Sequence, residues 1–188
     1  MIQRKSIHHL LLTSVSLLLI MPMTYAQLLD FTNPLTNNAL KVVNDNVMGG
    51  VSKSRFTYAP EGIVFEGEVS LENGGGFASL RSPIFIPECT SALNLTIRGD
   101  DKQYKLVLRT DNSPRSPLYQ ADFSTTRDWQ THRFDSGDFK ASFRGRAVNA
   151  PELVFSSVIE IGILIANQQT GTFRVQLKNI QSIHDTSC

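Results

Sequence analysis

Apolar and polar residues alternate along much of this chain. Ile63, Phe65, Gly67, Val69 and Leu71 alternate with Val64, Glu66, Glu68 and Ser70. Leu93, Leu95 and Ile97 alternate with Asn94, Thr96 and Arg98. Tyr104, Leu106 and Leu108 alternate with Lys105, Val107 and Arg109. Phe173, Val175 and Leu177 alternate with Arg174, Gln176 and Lys178. A period of two puts successive side chains on opposite faces of an extended strand, one toward a core and one toward water. The stretch Val158 to Ala166 is apolar almost throughout and predicts a central strand covered on both faces.

Turn-forming residues punctuate these runs. They include Pro60-Glu61-Gly62, Asn73-Gly74-Gly75-Gly76, Gly99-Asp100-Asp101, Asn112-Ser113-Pro114 and Gln169-Thr170-Gly171. No amphipathic helical period follows the N-terminal segment. Roughly eight to ten short strands at this spacing predict an all-β sandwich or barrel. Its expected core is Phe65, Leu71, Phe77, Leu95, Ile97, Leu106, Leu108, Phe123, Phe134, Ile161, Ile163, Phe173, Val175 and Leu177.

The N-terminus has a different character. Arg4 and Lys5 precede an apolar run from Leu10 to Met21, and Thr24-Tyr25-Ala26 places small residues around a cleavage point. This is the layout of a signal peptide. The run of about a dozen residues is short for a bilayer span, which needs roughly 20. Cleavage after Ala26 is expected, leaving residues 27–188 as one jelly-roll-sized domain in the periplasm or secreted. The chain has 18 basic and 17 acidic residues, a balance that offers no bulk attraction to nucleic acid. Its two cysteines, Cys89 and Cys188, would meet oxidising conditions and are candidates for one disulfide.

Chemical signatures are sparse. The sequence has no GxSxG elbow, no HExxH, no P-loop and no strand-following GxGxxG. His132 and His184 stand apart in sequence, and the acid pairs Asp100-Asp101 and Asp135/Asp138 have the look of turn formers. Neither a metal-ligand spacing nor a nucleophile–base pair emerges. The expectation is a non-enzyme without cofactor or metal.

Four stretches are less generic. Asp45-Asn46-Val47-Met48-Gly49-Gly50-Val51-Ser52 contains paired glycines that predict a sharp turn, with Asp45 accepting backbone hydrogen bonds from it. Gly75-Gly76-Phe77-Ala78-Ser79-Leu80-Arg81 links two strands. Arg98-Gly99-Asp100 with Tyr104 and Lys105 reads as a hairpin turning at Gly99-Asp100. Phe139 and Phe143 precede Arg144-Gly145-Arg146. In order and spacing these resemble the complex I intermediate-associated protein 30 family, whose patterns D-x-V-M-G-G-x-S, GGF-A-S-x-R and R-G-D-x-x-x-Y-K they match, with the F-R-G-R end of its F-x-x-F-R-G-R pattern met from Phe143 to Arg146.

The resemblance covers nearly all of the expected mature chain. It implies a galactose-binding-like jelly roll and a chaperone-like assembly role without catalysis, which after export would be exercised outside the cytoplasm. Two kinds of partner follow. One is an envelope or secreted protein, met by Arg81, Arg98, Arg144 and Arg146, unless those arginines pair internally with Asp45, Asp100 or Asp138. The other is a glycan, for which Trp129, Tyr58, Tyr104 and Tyr119 are the available aromatic platforms.

Overall fold

A computed structural model describes residues 24–36 and 39–184. The expected signal segment before residue 24, and Cys188, lie outside the described residues. Thirteen strands appear among them: β1 (Thr24–Asp30), β2 (Lys41–Asn44), β3 (Lys53–Ala59), β4 (Gly62–Val69), β5 (Ala78–Pro83), β6 (Thr90–Arg98), β7 (Gln103–Arg109), β8 (Leu118–Ser124), β9 (Gln130–Asp135), β10 (Lys140–Phe143), β11 (Arg146–Ala147), β12 (Glu160–Ile165) and β13 (Gly171–His184). The only helical pieces among the described residues are 3-10 turns of three or four residues.

The strands form two antiparallel sheets. One has six strands in the order β3-β4-β13-β6-β9, with β1 also beside β13; the other has seven, β11-β10-β8-β7-β12-β5-β2. β13 is long enough to hold two neighbours on one edge. Its first half pairs with β4 and its second with β1, and the register shifts between Leu177 and Asn179 on its other side, against β6. Gly62 sits where β4 begins, at φ 134°, and a Cβ there would lie 1.9 Å from the Leu177 carbonyl oxygen. Only glycine fits so close to a neighbouring backbone. β1 starts at Thr24, so its pairing with β13 extends three residues to the N-terminal side of the expected cut after Ala26.

The core lies between the sheets. Ile63, Phe65, Leu93, Leu95 and Ile97 face it from the first sheet; Tyr104, Leu106, Leu108, Ile161, Ile163 and Ile165 face it from the second. Phe65 and Phe173 meet edge to face at 5.0 Å, and Phe123, Phe134, Phe139 and Phe155 continue the aromatic contacts. Burying each large apolar side chain stabilises the fold by about 1.5–3 kcal/mol. The Tyr104 hydroxyl donates to Asp100 at 2.9 Å, so the one polar atom of this buried ring is satisfied. Burial and the adjacent Asp100 carboxylate both push that phenol far above its ordinary pKa.

Twelve of the fourteen expected core residues are buried, and two are not. Leu71 is 42% exposed, because β4 ends at Val69 and the alternation no longer describes an extended chain there. Phe77 is half-buried, one residue before β5 begins. The hairpin expected at Gly99-Asp100 does not form. β6 and β7 belong to different sheets, and their connection crosses the sandwich. Gly99 is there for close approach: a Cβ would stand 2.4 Å from Thr125 Oγ1. The apolar run near Ile163 is a central strand as expected, since β12 lies between β5 and β7. Its inner face is core; its outer face, Glu160, Gly162 and Leu164, is not covered by another layer. Cys89 is not free, and its expected partner Cys188 lies outside the described residues.

Replacing Phe65 with Ala should lower stability by about 3–5 kcal/mol, whereas Leu71→Ala should cost about 0.5 kcal/mol or less. Chemical denaturation of the two variants checks the difference, and equal losses would show that the core boundary at the end of β4 is misplaced.

Candidate functional site

The first motif folds around a buried carboxylate. After β2 the chain turns through a 3-10 turn at Asp45–Met48, and Gly49 ends it in the left-handed region at φ 90°. The Gly50 amide donates to the Asp45 carbonyl. The Asp45 side chain is 1% exposed. It accepts from the Ser52 amide (3.0 Å) and hydroxyl (2.5 Å), and from the amides of Gly76 (2.6 Å) and Phe77 (3.3 Å). Ser52 Oγ in turn accepts from the Ser70 amide at 3.0 Å. One carboxylate therefore ties the first motif to the second.

One glycine of each motif is explained by this carboxylate. A Cβ on Gly50 would stand 2.3 Å from Asp45 Cγ, and one on Gly75 would stand 2.5 Å from Asp45 Oδ2. Burial pushes the Asp45 carboxyl pKa upward, but the hydrogen bonds from Ser52, Gly76 and Phe77 outweigh it and hold the pKa below the usual range.

The seven-stranded sheet turns a polar face outward. The pairing register aligns Arg81, Gly162, Val107, Gln120 and Lys140 in one row across five strands. Gly162 makes room in that row: a Cβ there would lie 2.9 Å from Arg81 Cγ and 3.3 Å from Val107 Cγ2. The Arg81 side chain thus lies low on the sheet, its Nε donating to Ser79 Oγ at 3.3 Å and its Nη1 lying 3.5 Å from Glu160 Oε1. The same Glu160 oxygen is 3.9 Å from Arg109 Nε. Arg109 also donates to the Ser113 carbonyl at 2.8 Å, and Lys105 pairs with Asp122 at 2.5 Å.

Two loops wall this face into a cleft of about 450 Å³. On one side is Gly74 to Phe77, the loop Asp45 holds; on the other is Phe143-Arg144-Gly145. Arg144 and Gly145, at φ 50° and 77°, form the two-residue turn joining β10 to β11. The Arg144 guanidinium lies 5.4 Å from the centre of the Phe143 ring. Lining residues from the first, second and fourth motifs thus meet in one cleft: Asp45, Gly75, Gly76, Phe77, Arg81, Arg144 and Gly145. Gly49, Gly50 and Ser52 stand behind it as supports, and Arg146 is exposed on the short β11.

The third motif is largely structural. Arg98 lies 4.7 Å over the Trp129 ring on the other sheet, and its Nη2 donates to Gln176 and pairs with Glu61. Asp100 accepts from the Tyr104 hydroxyl and the Arg174 amide. Only Lys105 of this motif reaches the cleft. The internal pairs expected between the motif arginines and Asp45, Asp100 or Asp138 are not the ones formed: Arg81 pairs with Glu160 and Arg98 with Glu61. Asp45 and Asp100 give their oxygens to protein donors, and no group of three His, Cys, Asp or Glu suited to a metal gathers among the described residues.

The expected aromatic platforms do not assemble. Tyr104 and Tyr119 point into the core, the latter donating to the Pro151 carbonyl at 2.9 Å. Trp129 has Arg98 and Lys178 over its ring on the six-stranded sheet, at 4.7 and 5.7 Å from its centre, and Tyr58 lies on β3 at that sheet's edge. Of the two histidines, His132 packs on Phe123 and is held below its ordinary pKa by desolvation; His184 meets Ser182 Oγ. Neither lines the cleft. Sequence reasoning missed Arg109, Gln120, Glu160 and Gly162. Their alternation was visible, but nothing local says which sheet face two loops will wall.

Residues 29–177 match the family described as Complex I intermediate-associated protein 30 (CIA30). The chain belongs to this family. No curated protein sequence matches it. Among solved structures it is similar to the family 11 carbohydrate-binding module of Clostridium thermocellum in complex with a β-1,3-1,4-mixed-linked tetrasaccharide, with 13% identity, 84% of this chain and 95% of that chain covered, and a TM-score of 0.56. An agarase, AgWH50C, is similar over 86% of this chain but 24% of its own, at 10% identity and a TM-score of 0.57. The module CBM29-2 matches with 87% of each chain covered, 13% identity and a TM-score of 0.50. These likenesses show the fold, a jelly-roll sandwich, which together with the family match fits a binding domain.

Asp45→Ala should lower stability by about 3 kcal/mol, because several donors lose a shared buried acceptor, and Gly50→Ala should destabilise by displacing the same carboxylate. Because the folded pKa of Asp45 is depressed, its contribution is complete above the ordinary carboxylate value of about 4 and is lost as pH falls through the folded value. Melting scans should therefore show wild-type stability falling in acid, with a shallower fall for Asp45→Asn; parallel pH profiles would count against the hydrogen-bonded carboxylate.

Proposed function

We propose that this protein is a non-catalytic binding domain that acts outside the cytoplasm, in the periplasm or secreted, holding a partner protein in a chaperone-like manner. The cleft on the outer face of the seven-stranded sheet is its binding surface. The observation that carries this reading is the convergence of three family motifs on that cleft. The first motif, through the buried Asp45, positions the loop of the second. The arginines of the second and fourth stretches, Arg81 and Arg144, then line the opening. Polar and cationic side chains of this kind suit a protein surface, where Arg is favoured.

A second reading is a carbohydrate-binding module, favoured by the fold likeness to a module in complex with a tetrasaccharide. Sugars are commonly held against aromatic faces; of the candidate rings, Tyr104 and Tyr119 are in the core, and the exposed Tyr58 and half-buried Trp129 belong to the other sheet, away from the cleft. Protein binding is therefore the stronger reading.

Crosslinking and pull-down from the envelope fraction tests it. Wild type and Arg55→Ala, which changes the other sheet, should recover the same partner; Gln120→Trp, which fills the cleft floor, should lose it while melting at the same temperature. Capture of identical proteins by all three, or retention on a neutral glucan gel with no protein captured, would overturn the proposal.

A further inference from the structure

The cleft has an uneven charge. Four of its lining residues are basic, Arg81, Lys105, Arg109 and Arg144, and one is acidic, Asp45. The Asp45 carboxylate is consumed by donors from Ser52, Gly76 and Phe77 and presents little to a ligand. Glu160 lies within 4 Å of both Arg81 and Arg109, so one carboxylate sits beside two guanidinium groups. Lys105 is answered by Asp122, but Arg144 is exposed and meets only the Phe143 ring. A cationic cleft has formed in a chain whose total basic and acidic residues nearly balance.

Arg144 is also placed against local preference. It takes φ 50° at the first position of a two-residue turn, where Asn, Asp or Gly is favoured. Glycine follows at φ 77° and is at ease there. A side chain held in a disfavoured backbone region at the mouth of a cleft is a reason to look for a contact that needs it. The rows of the sheet add a length. Lys105 and Arg109 are four residues apart on one strand, roughly 13 Å, so a single carboxylate cannot reach both. The ligand must carry several acids in an extended line.

We infer that the cleft selects an acidic, extended polypeptide segment, with Arg144 closing over its carboxylates from the turn between β10 and β11. This rests on the protein-binding reading and names the kind of partner segment. Guanidinium groups bind carboxylates in paired hydrogen bonds, which a lysine cannot reproduce. A polypeptide fits better than an anionic glycan, because neither tryptophan nor tyrosine lines the cleft and the Arg144 guanidinium already lies over the Phe143 ring.

Fluorescence anisotropy with labelled oligoglutamate, oligolysine and oligogalacturonate tests the inference on the purified protein. Oligoglutamate should bind, oligolysine should not, and affinity should fall as salt rises. Arg144→Gly should melt no lower than wild type, since glycine tolerates the left-handed turn, yet should weaken oligoglutamate binding by at least about tenfold. Arg144→Lys should recover only part of that loss. Equal binding to wild type and Arg144→Gly, no oligoglutamate binding at low salt, or tighter binding of oligogalacturonate would each overturn it. If oligoglutamate fails while the envelope partner is still captured, acidic selectivity falls and the protein-binding reading stands.

Discussion

A charged carboxylate removed from water is the feature around which this protein's binding end is arranged. Isolated, the buried Asp45 anion would be severely destabilising. It persists because the chain supplies donors both from its own loop, at Ser52, and from Gly76, 31 residues on from Asp45. That requirement propagates. Gly50 and Gly75 must lack side chains to let the carboxylate in, and Gly49 must take the left-handed turn that returns the backbone toward Ser52. The loop from Gly74 to Phe77 is thereby fixed against the end of β2, and it becomes one wall of the cleft. A buried side chain thus sets the position of a surface loop.

The opposite logic governs the floor. The seven-stranded sheet buries one face in the core, so its other face is free to vary chemically. Glu160 and Gly162, on a strand whose inner face is three isoleucines, create the setting for Arg81: the glycine removes a Cβ from its path and the glutamate answers its charge. The six-stranded sheet uses its charges differently. There Glu66 lies between Arg55 and Arg174, and Arg98 lies between Trp129, Gln176 and Glu61, so most of its arginines are engaged in pairs across strands. The two outer faces of one sandwich have been given different work.

The same fold carries modules that hold sugars and a domain-sized part of an agarase. A shared jelly roll does not transfer a ligand, because ligand choice resides in side chains on a face the core does not constrain. In this chain two of the four candidate aromatic platforms were drawn inward. Tyr104 and Tyr119 fall on core-facing positions of β7 and β8, and their hydroxyls are satisfied inside.

Much of this was legible in the residues themselves. The period-two runs marked the strands, the run around Ile163 marked the central one, and four ordered motifs marked the family, because alternation and close glycine packing are local demands that any one sequence must meet on its own. Other features needed the third dimension. Gly99-Asp100 reads locally as a hairpin, yet β6 and β7 part into different sheets; Leu71 continues an apolar alternation past the end of its strand; and Arg109, Gln120 and Glu160 are ordinary polar alternators until β12 pairs between β5 and β7. Sequence alone determined which residues turn inward, since burial follows the period of the strand. Only the tertiary structure decided which outward residues meet, since neighbours across a sheet are set by pairing between segments far apart in the chain.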